Sequence, residues 1–297
     1  MSSFDWKQYV FNYPDLQNAG INSHDLALAH YTRFGIRENR TDKHLIERNE
    51  HTNTYHNYLY SVTLYKNEAF IGSVFESGNY WDLETLLKLK DYIPPNKNIL
   101  EIGGHCGTSS LIYSSFIESG FKLYVYEPQA KMFELLVKNV SQNGLTDKIK
   151  PFNKGVFCFE GHGYMNHEDL ELKSNVLDSI TNENKCNFGG VCLGSSGELV
   201  ELTTIDNMEH ENIGFIHCDA QGSENFIFSK GTEFIKKNRP VILYENVEND
   251  GDYLFETVKS NYNQYNFTFN IKEYCKSIGY SKCIDKFNDS MDTLLIP

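Results

Sequence analysis

Residues 98–107 read N-I-L-E-I-G-G-H-C-G, an apolar run that closes on an acid and then on three glycines within five residues. Such a run folds as a strand that turns sharply at its C-terminal end, because glycine takes positive φ and puts no Cβ between main chain and a ligand. Residues 109–116 follow as a helix whose first N–H groups face the same spot. Gly103, Gly104, His105, Gly107 and Ser109 are therefore the candidate lining for a nucleotide-like cofactor. Glu101, at the strand's end, is placed to accept from an amino group or hydroxyl.

Counted from Gly103, the dinucleotide fingerprint G-x-G-x-x-G needs glycine at 105 and glycine or alanine at 108. The chain has His105 and Thr108 there, which argues against an NAD-dependent oxidoreductase while leaving it as an alternative. Residues 122–126, K-L-Y-V-Y, form a second strand closed by Glu127 and Pro128. Glu127 follows Gly107 by about the interval expected of an acid that holds ribose hydroxyls. Met132, Leu135, Leu136 and Val140 recur at helical spacing, and Asn143-Gly144 stops that helix. The β-α-β-α alternation predicts a parallel sheet with helices on both faces and a ligand beyond the carboxyl ends of its strands.

Further strands are expected at 149–152 and 155–159, around a turn that makes Lys154 and Gly155 cofactor-side candidates. Residues 214–218 end in Asp219, a helix over 224–237 follows, and the strand at 240–244 ends in Glu245 and Asn246. Four strand ends thus present Glu101, Glu127, Asp219 and Glu245 toward one rim.

The spacing E-x-G-x-x-x-G resembles the S-adenosylmethionine loop of class I methyltransferases. Together with Y-E-P-Q-A, K-N-V-S-Q-N-G-L, T-T-I-D-N, H-C-D-A-Q-G-S-E and R-P-V-I-L-Y-E, it makes residues 74–297 resemble the FkbM family of S-adenosylmethionine-dependent methyltransferases. The resemblance implies a class I, Rossmann-like α/β fold with a mostly parallel seven-stranded sheet and a reversed last strand. It also implies S-adenosyl-L-methionine as cofactor and O-methylation, commonly of sugars or polyketide-type products. In D-A-Q-G-S-E, Gln221 stands where the family usually has glutamate, while Asp219, Gly222 and Glu224 keep the pattern. The expected activity is O-methyl transfer to a sugar hydroxyl in glycan biosynthesis, with a small-molecule or glycan acceptor. A noncatalytic glycan-binding scaffold on the same fold is the other alternative.

Methyl transfer requires the acceptor to be positioned and its hydroxyl proton removed. Asp219 is the candidate base and also a cofactor-side residue; His217 is read as one strand position away, facing the opposite side. Alternatively Asp219, Glu245 and Asn246 would hold Mg2+, which lowers the pKa of the hydroxyl. Residues 160–201 interrupt the alternation, and loops at a strand-end rim shape specificity. Asn187, Phe188 and Gly189, with Glu245 and Asn246, are the acceptor-side candidates.

A net charge of −13 without a basic stripe argues against a nucleic-acid partner. No apolar stretch is long enough for a membrane span, and M-S-S-F-D-W-K lacks the features of a signal peptide. Seven scattered cysteines without C-x-x-C suit reduced thiols. A cytoplasmic location is expected, the host cytoplasm if the chain is viral. The anticipated domains are a small helical module (1–41), a linker (42–73) and the methyltransferase domain (74–297). Asp15-Leu16, Gly35 and Arg40 resemble a short module found beside glycan enzymes of large DNA viruses and some bacteria, built here as two amphipathic helices. That resemblance implies homo-oligomerisation or docking to other glycan enzymes through residues 1–41.

Overall fold

The computed structural model describes residues 4–166, 186–246, 253–266 and 268–297. The chain divides into two compact units, the first ending at Trp81 and the second beginning at Asp82.

The first unit carries α1 (Trp6–Asn12), α2 (Pro14–Asn18) and α3 (His24–His30), followed by a π-helical turn at Tyr31–Gly35. Tyr9, Val10, Leu16 and Ala27 form its buried centre, flanked by Phe4, Trp6, Tyr13, Ile21 and Tyr31. Gly35 is required there, since a Cβ would lie 2.3 Å from the Tyr9 hydroxyl. Arg40 pairs with Asp15 at 2.8 Å and covers the Tyr13 ring, so the motif residues of this segment fasten its own helices. Where the sequence reading places a linker, the chain builds an antiparallel sheet of β1 (Leu45–Arg48), β2 (Thr52–His56) and β3 (Ser61–Tyr65), then α4 (Ile71–Glu76). The burial of Tyr55, Val62, Leu64 and Phe75 accounts for that order.

The second unit opens with α5 (Leu83–Leu89), β4 (Asn98–Ile102), α6 (Thr108–Ser114), β5 (Leu123–Tyr126), α7 (Ala130–Gln142) and β6 (Ile149–Phe152). Next come β7 (Gly155–Val156), β8 (Gly161–Met165), β9 (Leu193–Gly194) and β10 (Glu198–Thr203). They form a separate four-stranded sheet in the order β7-β10-β8-β9. The strand expected at 155–159 is therefore two residues long and belongs to this added sheet. The unit continues with β11 (Ile213–Cys218), α8 (Glu224–Ser229), α9 (Thr232–Asn238), β12 (Val241–Glu245), α10 (Tyr253–Asn261), α11 (Ile271–Ser277), β13 (Lys282–Ile284) and β14 (Asp292–Ile296). The helix anticipated over 224–237 is thus two helices, parted at Lys230-Gly231.

The main sheet runs β6-β5-β4-β11-β12-β14-β13. β6, β5, β4, β11 and β12 pair in parallel, and β14 is antiparallel to both of its neighbours. This is the class I methyltransferase order, with the reversed strand where it was expected. Ile99, Leu100, Ile102, Phe215, Ile216 and Ile242 are almost wholly buried, as strands covered on both faces require. The strand order reverses between β4 and β11, which puts the switch point at the loop after β4 and at Asp219. Among the described residues, no helix is long and apolar enough to cross a membrane.

Candidate functional site

The loop after β4 is shaped by close packing. Gly103 has φ +85, and a Cβ there would lie 1.8 Å from the Asp219 carbonyl oxygen; Cβ atoms at Gly104 and Gly107 would strike Val125 and Leu136. The glycines therefore let the loop nest against the end of β11, β5 and α7. His105 takes φ 48, rare for a residue with a side chain. Both its ring nitrogens are covered and lack partners, and burial lowers its pKa to about 4, so the ring is neutral at pH 7.

Glu127 sits just beyond β5, 3% exposed. Its Oε2 accepts the His105 N–H at 2.7 Å and its Oε1 the Gln129 N–H at 2.9 Å. Burial outweighs those two bonds and pushes the carboxyl up to about 7. The loop and this acid are consequently one assembly, with the acid oriented by the loop's own backbone. Asn153 donates to the Glu127 and Pro128 carbonyls at 2.9 and 3.0 Å and fixes the chain on the far side.

Glu101 is fully buried. It accepts Ser109 Oγ and Ser110 Oγ at 2.5 Å each, so its two oxygens already join β4 to α6. His217 contradicts the expectation of an opposite-facing side chain. It is two residues from Asp219, which restores the same face, and it pairs in register with Glu101, its Nδ1 3.5 Å from Glu101 Oε1. Burial pulls the imidazole down, but Glu101 and then Asp219 and Asp292 outweigh it, leaving its pKa raised.

Asp219 follows β11 with its N–H on the Ile102 carbonyl. Burial raises its carboxyl, and His217 and Gln221 only partly offset that. Gln221 Nε2 donates to Asp219 Oδ1 at 2.6 Å and to Glu245 Oε2 at 3.3 Å. Glu224, 2% exposed, accepts the Ala220 N–H at 2.7 Å through Oε1 and is pushed by burial to about 8.

Asp219, Glu224 and Glu245 each place an oxygen within 4.8 Å of the others, a donor set that a divalent cation can use. Gln221 does not suit that use, because its amide N–H group points at both Asp219 and Glu245 from where a cation would stand. The third ligand anticipated, Asn246, is directed elsewhere: its N–H donates to the Met291 carbonyl and its Nδ2 reaches Thr293 Oγ1 at 3.4 Å. Of the three ligands expected for Mg2+, Asp219 and Glu245 thus come together, with Glu224 rather than Asn246 as the third oxygen donor.

The remaining candidates have partners of their own in the structure. Lys154 is paired with Glu201 at 2.6 Å. A Cβ on Gly155 would strike Leu202 at 2.6 Å, so that glycine answers to the added sheet. Phe188 is 1% exposed and its carbonyl accepts Gln129 Nε2 at 3.1 Å, so its side chain is core. Asn187 caps the turn that follows it, Phe188–Gly190, by accepting the Gly190 N–H, and Gly189 lies inside that turn. Gln129 and Ser110 escaped the sequence reading, and His217 was assigned the wrong face. Their signals were faint: an amide two residues past a strand-end acid, a second serine on α6, and strand alternation for His217.

No protein-family model matches the chain, and no curated protein matches it. Solved structures of S-adenosylmethionine-dependent methyltransferases do resemble it. One is the methyltransferase FkbM from Methylobacillus flagellatus KT, at 14% identity and TM-score 0.37, covering 56% of this chain and 38% of that one. A second is the O-methyltransferase from Bacillus cereus in complex with SAH, at 14% identity and TM-score 0.37, covering 72% and 79%. A third is the Pyrococcus abyssi tRNA (uracil-54, C5)-methyltransferase in complex with S-adenosyl-L-homocysteine, at 11% identity and TM-score 0.38, covering 85% and 43%. The chain thus spans under half the length of the first and third. Its fold class rests on the sheet order itself.

Proposed function

We propose that this chain is an S-adenosylmethionine-dependent O-methyltransferase acting on a sugar hydroxyl of a small-molecule or glycan acceptor. The observation that carries the reading is Glu127, a buried acid at the end of β5 held by the His105 and Gln129 N–H groups beside the glycine loop. With one oxygen on each N–H, it keeps lone pairs to accept two vicinal ribose hydroxyls. His105, neutral and unpartnered, is the second cofactor-side group. These residues would hold S-adenosylmethionine, which would supply an electrophilic methyl group on a sulfonium, the sulfur keeping the C–S bonding pair.

The chain's own part is positioning and proton removal. Asp219 stands at the switch point, half-buried, with His217 and Glu101 behind it. The acceptor hydroxyl oxygen forms the new bond to the methyl carbon, and its proton passes to the Asp219 carboxylate. Glu245 and Asn246, at the end of β12, are the acceptor-side groups of this reading. Hydrogen-bonding acids and amides suit a polyhydroxylated neutral acceptor, in keeping with a net charge of −13. The test is incubation with radiolabelled S-adenosylmethionine and a panel of methyl glycosides and nucleotide sugars. Label transferred to a saccharide, and lost in Asp219→Asn, supports the reading; transfer undiminished in that variant removes Asp219 from the mechanism.

A further inference from the structure

We infer that Gln221 is the positioning residue that holds Asp219 in its reactive orientation, its amide standing in the place of a cation between Asp219 and Glu245. This rests on the methyltransferase reading of the site.

The geometry is specific. Gln221 Nε2 carries two hydrogens, one directed at Asp219 Oδ1 at 2.6 Å and the other toward Glu245 Oε2 at 3.3 Å. Two carboxylates this close repel unless a donor, a proton or a cation lies between them. A primary amide satisfies both without adding charge. It takes up Oδ1 of Asp219, whose carboxyl is also hydrogen-bonded with Glu245, and the acceptor hydroxyl meets a remaining lone pair on a carboxylate oxygen of Asp219. As the O–CH3 bond forms and the S–CH3 bond breaks toward sulfur, the hydroxyl proton goes to that oxygen.

The backbone shows that the position is held. Gln221 has φ 51 and Gly222 φ 87, two consecutive left-handed residues. A Cβ on Gly222 would lie 2.6 Å from the Phe255 N of α10. The turn is tied at both ends, by Ala220 N–H on Glu224 Oε1 and by Ser223 N–H on the Ala220 carbonyl. A non-glycine residue persists in this region only where its surroundings over-determine it. Asparagine would fall a methylene short of spanning both acids, and glutamate would add a third negative charge with no donor.

The experiment compares wild type with Gln221→Met, which keeps length and removes the N–H group, and with Gln221→Glu. The readouts are kcat and KM on methyl glycopyranosides, the S-adenosylhomocysteine Kd and the melting temperature. Both variants are expected to lose at least twentyfold in kcat while acceptor KM and Kd stay within threefold of wild type. A kcat within twofold of wild type in Gln221→Met overturns the inference, as does a kcat loss matched by an equal loss of S-adenosylhomocysteine affinity. A wild type that binds S-adenosylhomocysteine yet methylates no glycoside overturns the methyltransferase reading, and this inference with it. Should Gln221→Met fail to fold, the side-chain amide signal of Gln221 in wild-type 15N spectra decides: slow proton exchange and displacement in Asp219→Asn support the bridge, and exchange at the rate of an exposed amide overturns it.

Discussion

His217 of β11 stands in register with Glu101 of β4, its Nδ1 3.5 Å from Glu101 Oε1, while Ser109 and Ser110 donate to the same carboxylate from α6. Removing this wholly buried acid leaves the imidazole without its neighbouring carboxylate and two hydroxyls without their acceptor. Breaking a buried pair from one side costs about 3 kcal/mol or more, whereas losing one neutral donor costs about 1 kcal/mol. Urea denaturation should therefore show Glu101→Ala destabilised by about 3 kcal/mol and Ser110→Ala by about 1 kcal/mol. Equal losses in the two variants would contradict this account of β4 and α6.

Three groups at the rim make stability depend on pH in one direction. Burial raises Glu127 from 4.5 to about 7 and Glu224 from 4.5 to about 8, and the acids around His217 raise it above 6.5. A pKa raised by folding contributes stability below the unfolded value and loses it as pH climbs through the folded value. Glu76 and Asp285 have lowered pKa values and act oppositely, as do His44, His105 and His210, whose pKa values burial lowers from 6.5, but these opposing contributions are complete above about pH 6.5. Stability of the cofactor-free protein should consequently fall between about pH 6.5 and 8, and Glu127→Gln should flatten the decline. A rise over that interval would refute the placement of these groups.

Gly103 offers a sharper structural test. With φ +85 and a Cβ position 1.8 Å from the Asp219 carbonyl, alanine must move either the loop or the end of β11. Gly103→Ala is expected to lower the melting temperature by about 5 °C or more, as a change of about 2 kcal/mol does in a unit of this size. Gly120→Ala is the control, since nothing lies within 4 Å of a Cβ there, although its φ of +100 still carries some strain.

Much of this was legible before any coordinates. The central strands are apolar on both faces and end in acids, so the mostly parallel sheet, the reversed strand and the acidic rim follow from pattern and resemblance. Other parts were not. The sheet of β1–β3 is built from short, polar, aromatic strands that read as linker. The added sheet hides in β7 and β9, two residues each, whose stability comes from partners distant in the chain. The loop glycines were legible as a turn, but the collisions that demand them, with Asp219, Val125 and Leu136, are tertiary. His217 was misplaced by a count of strand residues, and the bridging of Asp219 and Glu245 by Gln221 depends on a left-handed turn that no spacing reveals.

Lys154 separates a true cofactor contact from a neighbour of the site. Its Nζ is engaged by Glu201 at 2.6 Å across the β7 and β10 edge. Exposed pairs contribute about 0–1 kcal/mol, so Lys154→Ala should change S-adenosylhomocysteine affinity less than twofold and barely alter stability. A tenfold loss of affinity would place this lysine in the cofactor cleft.

The central claim is that Glu127 and the loop around His105 hold S-adenosylmethionine. Calorimetric titration of wild type and Glu127→Ala with S-adenosylmethionine and with NAD tests it most directly. The account predicts micromolar binding of S-adenosylmethionine to wild type, at least tenfold weaker binding to the variant, and no heat with NAD. Absence of S-adenosylmethionine binding, or equal affinity in the two proteins, would contradict it.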